Sequence, residues 1–175
     1  AEADASPLAL MIADRYYAMV AAELEAFAPG VLDLGSRLHT TSPEVIEAAS
    51  RHVDVVSANL YSYDPGVAPY ARLGRPVLVS EYHFGNLTGR NLGPGLKSAQ
   101  DATQQARLFR RYLEKAASHP AVVGAHWFQW RDQSVGGRPD GENYDVGFFD
   151  VADQPKRELI EASAAFAREL YELRR

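Results

Sequence analysis

Apolar residues recur along this chain at two periods, and the alternation between them lays out its elements. Leu8, Met11, Ile12, Met19, Val20, Leu24 and Phe27 keep helical spacing after Ser6-Pro7, which reads as a helix start with proline in the first turn, until Pro29-Gly30 stops them. Val31 to His39 is a short run ending in polar residues and predicts a strand. Thr41-Ser42-Pro43-Glu44 repeats the N-cap and first-turn signal ahead of Val45, Ile46 and Ala49, a second helix. The runs Val53 to Tyr63 and Pro76 to Phe84 predict two more strands, joined by a Pro- and Gly-interrupted connection holding Tyr70 and Leu73.

A glycine-rich loop, Gly85 to Lys97, comes next, and from Ala99 to Ser118 the positions Ala102, Ala106, Phe109, Leu113 and Ala116 form one helical stripe. Ala121 to Trp130 predicts a fourth strand, and a long polar loop leads to a terminal helix marked by Leu159, Ile160, Phe166 and Leu170. Strands buried on both faces and separated by helices indicate a parallel α/β fold with right-handed crossovers. Four such units fit half of an eight-stranded barrel or a small open sheet, and periodicity does not separate the two.

Composition narrows the partners more than the fold. With 46% hydrophobic and 23% charged residues, the 175-residue chain is expected to form one domain spanning residues 1–175. A formal charge of -5, with acids and bases interspersed, gives no footprint for nucleic acid or an anionic membrane, and no window is apolar for long enough to span a bilayer. There is no cysteine, which excludes disulfides, thiolate catalysis and cysteine-held metals. The first residue is Ala1 rather than Met, so an upstream segment is expected.

The chemistry gathers at strand ends. Arg37 and His39, then Asn59, Tyr61 and Tyr63, then Glu81, Tyr82 and His83, then Trp127, Gln129 and Trp130 close the four predicted strands on their C-terminal side, where barrel enzymes assemble their sites. Alternation puts Val77, Val79 and Glu81 on one face, Ala125, Trp127 and Gln129 on one face, and Ser57, Asn59 and Tyr61 on one face. Tyr61 and Trp127 are therefore the expected neighbours of an inward Glu81. A carboxylate beside a phenol and an indole has the parts for sugar chemistry: the indole stacks on a pyranose, the phenol orients the carboxylate, and the carboxylate attacks the anomeric carbon. His126, out of phase with Trp127, reads as structural, and Trp130 as packing or subsite wall. The loop Gly85 to Lys97 lacks the endings of a phosphate cradle or dinucleotide fingerprint and reads as a flexible substrate-side loop.

Pro76-Val77-Leu78-Val79-Ser80-Glu81 resembles the seventh strand of clan A retaining glycoside hydrolases, with Ser57-Ala58-Asn59-Leu60-Tyr61 and Gly124-Ala125-His126-Trp127-Phe128-Gln129 resembling the sixth and eighth. Leu34-Gly35-Ser36-Arg37, the Gly124–Gln129 run and Asp140-Gly141-Glu142-Asn143-Tyr144-Asp145-Val146-Gly147-Phe148 are similar to β-agarases of glycoside hydrolase family 50. The resemblance implies the C-terminal half of a (β/α)8 barrel, strands five to eight with their helices. It also implies double-displacement hydrolysis of a β-galactosidic bond in agarose or a related galactan, with Glu81 as nucleophile, no cofactor, and a bacterial secreted or periplasmic location. Arg37, His39, Asn59, Tyr61, His83, Trp127, Gln129, Glu142 and Asn143 are then the expected substrate contacts. The acid/base Glu of the clan, in an Asn-Glu pair, has no counterpart here, so the N-terminal half of the barrel is an expected partner and the isolated half is expected to be inactive.

Two other readings use the same residues. His39, His83 and a carboxylate at strand ends suit a metal-dependent hydrolase barrel, although no His-x-His or His-Glu-x-x-His pair supports it. A non-catalytic, sugar-binding half-barrel is the alternative without chemistry.

Overall fold

The computed structural model describes residues 2–39, 41–89 and 93–174, with side chains from residue 7 onward. In chain order the elements are α1 (Glu2–Phe27), α2 (Pro43–His52), β1 (Val56–Asn59), α3 (Ala68–Ala71), β2 (Val77–Tyr82), β3 (Gly85–Asn86), β4 (Ser98–Ala99), α4 (Ala102–Ser118), β5 (Val122–Trp127) and α5 (Arg157–Leu173). The fold is mixed α/β, with one sheet in the order β1-β2-β5 and a two-stranded pair of β3 with β4. Its backbone bonds advance in the same direction along both members of each pair. Val56 donates to Pro76 and Leu60 to Glu81, and Val77 donates to Ala121 and Phe128 to Tyr82, so the main sheet is parallel. The side chains of Val77 to Ser80 are all buried, as a strand covered on both faces requires.

By packing, the chain divides into two compact units, Ala1–Asn59, Gly66–Ser80 and Ala121–Gly124 in one, and Leu60–Pro65, Glu81–Pro120 and Ala125–Arg175 in the other. In the first, α1 lies on α2 through Ala13, Tyr17, Ile46, Ala48 and Ala49, with Leu38, Val53 and Val56 completing the core. α1 begins at Glu2, about one turn before the start predicted at Ser6-Pro7, so Pro7 lies inside the helix. The opposite side of α1 is uncovered: Leu8, Met11, Ile12, Tyr16 and Met19 are each more than half exposed.

The strand predicted over Val31 to His39 contracts to one parallel bridge, Leu38 to Ala58. Asp33 explains why. Its carboxylate accepts the Gly35 N–H at 2.8 Å and its carbonyl accepts those of Asp54 and Val55, which spends on a turn the groups a ladder would use. Gly35 then takes φ +62°, open to glycine and costly for other residues, and Val31 and Leu32 are left exposed.

The second unit is built on α4 and α5. Asp101 caps α4 by accepting the Gln104 N–H at 2.7 Å, so the helix starts at Ala102 rather than Ala99. Its buried face is Gln105, Phe109, Tyr112 and Ala116, a stripe rotated from the predicted one. Gln105 is tolerated there because its amide donates to the carbonyl of Phe84 at 2.6 Å. Tyr82 stacks on Tyr112 with ring centres 4.2 Å apart and planes within 4°, and Phe84, Phe109 and Trp127 close around them.

The loop between β5 and α5 is tied at its ends. Lys156 pairs with Asp132 at 2.6 Å and with Asp145, both aspartates being buried, and Asp132 also accepts the Gly147 N–H. Burial is the main influence on the Asp132 carboxyl and raises its pKa, while the Lys156 ammonium opposes the rise. In the glycine-rich loop Gly85–Asn86 pairs in parallel with Ser98–Ala99, and Arg90 to Leu92 of that predicted loop lie outside the described residues.

Candidate active site

In the second unit β2 runs out through Glu81, Tyr82, His83 and Phe84, whose side chains alternate between two faces. One face carries a polar group of three. The Tyr61 hydroxyl donates to Oε2 of Glu81 at 2.5 Å, and the Tyr61 ring lies 4.7 Å from that of His83, tilted by 59°. Glu81 is half-buried, so the structure holds a carboxylate by a phenol at the C-terminal end of a parallel strand. Such an end is where parallel α/β sheets present their chemistry.

His83 is enclosed rather than presented, with 1% of its surface exposed. Its Nε2 accepts the Leu96 N–H at 2.8 Å, which places the proton of the neutral ring on Nδ1. Burial pushes its pKa down to about 4, against a smaller upward pull from the Phe128 backbone. Gly95 permits the approach: it has φ +70°, and a Cβ there would stand 2.3 Å from Nε2. His83, expected to touch substrate, thus anchors the Leu96 segment and backs the Tyr61 ring.

Trp127 is the larger correction. Its ring neighbours are Tyr82 at 5.2 Å, Phe109 at 5.3 Å, and Phe84 and Phe148 at 6.2 Å, and its Nε1 donates to the carbonyl of Val146 at 2.7 Å. Tyr82 and Phe84 alternate with Glu81 and His83, so the indole fills the aromatic core on the other face. Besides Tyr61, the aromatic residues beside His83 are Phe128, at 5.8 Å, and Tyr144, at 5.7 Å, neither of which sequence reasoning selected. Phe128 has the parity opposite to Trp127, and Tyr144 lies in the Asp140–Phe148 run, so both were in view without a signal to choose them.

The remaining predicted contacts of this unit hold loops. Gln129 donates to the Arg131 carbonyl at 2.8 Å, Glu142 accepts from Gln133 at 2.8 Å and Arg138 at 3.2 Å, and Asn143 accepts the Gly93 N–H at 3.3 Å. In the first unit Arg37 donates to the Ser80 carbonyl at 3.1 Å, the Ser80 hydroxyl donates to Asn59 at 2.8 Å, and His39 Nδ1 is 3.3 Å from the Asn59 carbonyl. Ser80 joins these residues although a serine in an apolar run gave no signal. Among the described residues no three His, Asp or Glu side chains converge as a metal-binding group, and no helix is long and apolar enough to cross a membrane.

Comparison with known proteins gives this geometry a context. No family model matches the chain. Beta-agarase B of Vibrio sp. (strain JT0107) is 36% identical over 171 residues, which cover 94% of this chain and 18% of that protein. Among solved structures, an exo-β-agarase superposes with a TM-score of 0.92 at 35% identity over 98% of this chain and 24% of its own. The agarase AgWH50C superposes with a TM-score of 0.90 at 34% identity over 97% and 27%. The chain spans about a fifth of the length of the curated relatives it matches. By sequence and by fold it is a homologue of the β-agarases over one segment of those larger enzymes.

Proposed function

We propose that this chain is the C-terminal half of a (β/α)8 barrel, one partial catalytic domain contributing strands five to eight to a retaining glycoside hydrolase that cleaves β-galactosidic bonds of agarose or a related galactan. Glu81 is its nucleophile. The observation that carries this reading is the Tyr61 hydroxyl 2.5 Å from the Glu81 carboxylate at the end of β2, in a chain homologous to β-agarases.

A carboxylate with one oxygen held by a phenol is fixed in orientation, which aims it at the carbon it attacks. In the first step the Glu81 oxygen forms a bond to the anomeric carbon while the glycosidic oxygen leaves with a proton from a second carboxyl group. In the second step water, deprotonated by that group, displaces Glu81 and restores its charge. Retention requires the two carboxyl groups about 5–5.5 Å apart, and the partner belongs to the half that this chain lacks. The role expected for Trp127 as a sugar platform has no support in its packing, and Phe128 and Tyr144 stand nearer the Glu81 face.

The test joins these residues to their upstream coding region and assays agarose and simple β-galactosides. Activity that disappears in Glu81→Gln supports the reading. Equal hydrolysis by both proteins removes Glu81 from the nucleophile's role.

A further inference from the structure

The second unit also carries a concave feature whose lining includes neither Glu81 nor Tyr61. It is a groove of about 400 Å³ walled by Tyr63, Gln100, Gln104, Leu108, Arg111 and Lys115. Four of these recur along α4 with helical spacing and make one wall. Tyr63 makes the other. Its ring stacks on Phe84 at 5.7 Å within 11° of parallel, and its hydroxyl is tied to the Ser98 carbonyl at 2.9 Å. Phe84 is wholly buried, so Tyr63 stands on a rigid base while 49% of it remains exposed.

Several polar groups beside this ring are not spent on holding the fold. Among the described residues the side chains of Gln100 and Arg111 make no hydrogen bond, and the Gln104 amide uses only its oxygen, on the Gln100 N–H at 2.6 Å. A solvated helix face accounts for exposed Gln and Arg, but not for a tyrosine immobilised at both its face and its hydroxyl with half its surface open. A fixed aromatic face bordered by free amide and guanidinium groups suits a sugar: C–H groups lie on the ring and hydroxyls meet planar donors and acceptors.

Charge narrows the class. Arg111 and Lys115, and Lys97 with its ammonium 6.0 Å from the Tyr63 ring centre, face one acid, Asp64, which pairs with Lys115. This cationic rim sits on a chain of formal charge -5. Arginine's fork matches the paired oxygens of a sulfate or carboxylate. We infer that the groove is a second carbohydrate site, distinct from Glu81, that takes a sugar residue bearing an anionic substituent.

Saturation-transfer NMR on the full chain tests this with three probes: methyl galactoside 6-sulfate, methyl galacturonide and neutral methyl galactoside. The expected result is saturable binding of at least one anionic glycoside, at least about tenfold tighter than the neutral one, and weakened about tenfold by Arg111→Ala. Tyr63→Ala is expected to weaken it as well, and Glu81→Gln to leave it unchanged. Which anionic probe binds identifies the substituent. The inference is overturned if neither anionic glycoside saturates, if the neutral glycoside binds equally well, if Arg111→Ala has no effect, or if Glu81→Gln abolishes binding. Arg111 is exposed on a helix, so its replacement leaves the fold intact. A failed nucleophile assignment shows in hydrolysis and leaves these binding results standing.

Discussion

Tyr61 and Glu81 are joined by a hydrogen bond of 2.5 Å between phenol and carboxylate. Tyr61→Phe removes only the donor. A bond to an ionised acceptor contributes about 1.5–3 kcal/mol, so kcat/KM of an active protein carrying these residues should fall roughly 10- to 100-fold, mostly in kcat. Steady-state kinetics on a β-galactoside checks this, and an unchanged kcat shows that the phenol does not position the carboxylate.

His83 makes stability depend on pH in a defined window. The unfolded chain protonates histidine near its ordinary value of 6.5, whereas the buried ring in the folded protein does so only at about 4. Between those values the unfolded state binds the extra proton, so this contribution is complete above 6.5, declines as pH falls, and is exhausted below about 4. The full difference is about 3 kcal/mol. Urea unfolding at pH 7 and pH 4.5 should show the decline in the wild type and a shallower one in His83→Gln.

Lys156 is the only cation bonded to Asp132 and Asp145 among the described residues, and the two aspartate side chains are 3% and 6% exposed. Lys156→Met leaves two buried carboxylates without a counter-charge and should cost about 3–5 kcal/mol. Adding Asp132→Asn and Asp145→Asn to that variant should recover part of the loss. Both effects are read from urea midpoints at neutral pH, and a Lys156→Met protein as stable as wild type would contradict the pairing.

The uncovered side of α1 calls for a partner. Leu8, Met11, Ile12, Tyr16 and Met19 recur along one stripe and remain more than half exposed. An apolar stripe of this kind on an unpaired chain promotes association, so the isolated chain should sediment as oligomers at tens of micromolar. The double variant Met11→Lys, Ile12→Glu should shift it toward monomer. A wild-type monomer at that concentration would show that the stripe tolerates water.

The order of helices and strands was legible because period and punctuation agree: the α1 stripe ends at Pro29-Gly30, and Pro43 opens α2 as its composition indicates. Val31 to His39 misled because its apolar residues suit a strand, while the Asp33 turn and the left-handed Gly35 divert the backbone from pairing. The meeting of Tyr61 and Glu81 followed from alternation alone. The same logic misplaced Trp127, since alternation says which residues share a face and nothing local says which face meets the helices. Phe109 and Tyr112 decide it, and their side of α4 is visible only after Gln105 is seen to be buried. The capture of His83 by Leu96 was out of reach because the two lie 13 positions apart along the chain with no periodic pattern linking them.

The two tryptophans occupy contrasting surroundings, Trp127 wrapped by Tyr82, Phe109 and Phe148, and Trp130 with 70% of its surface in water. The chain therefore carries its own pair of optical reporters. Blue-shifted emission, less accessible to iodide, follows the aromatic cluster, while red-shifted, readily quenched emission follows the residue just beyond it, so loosening of one can be observed apart from the other without an added label.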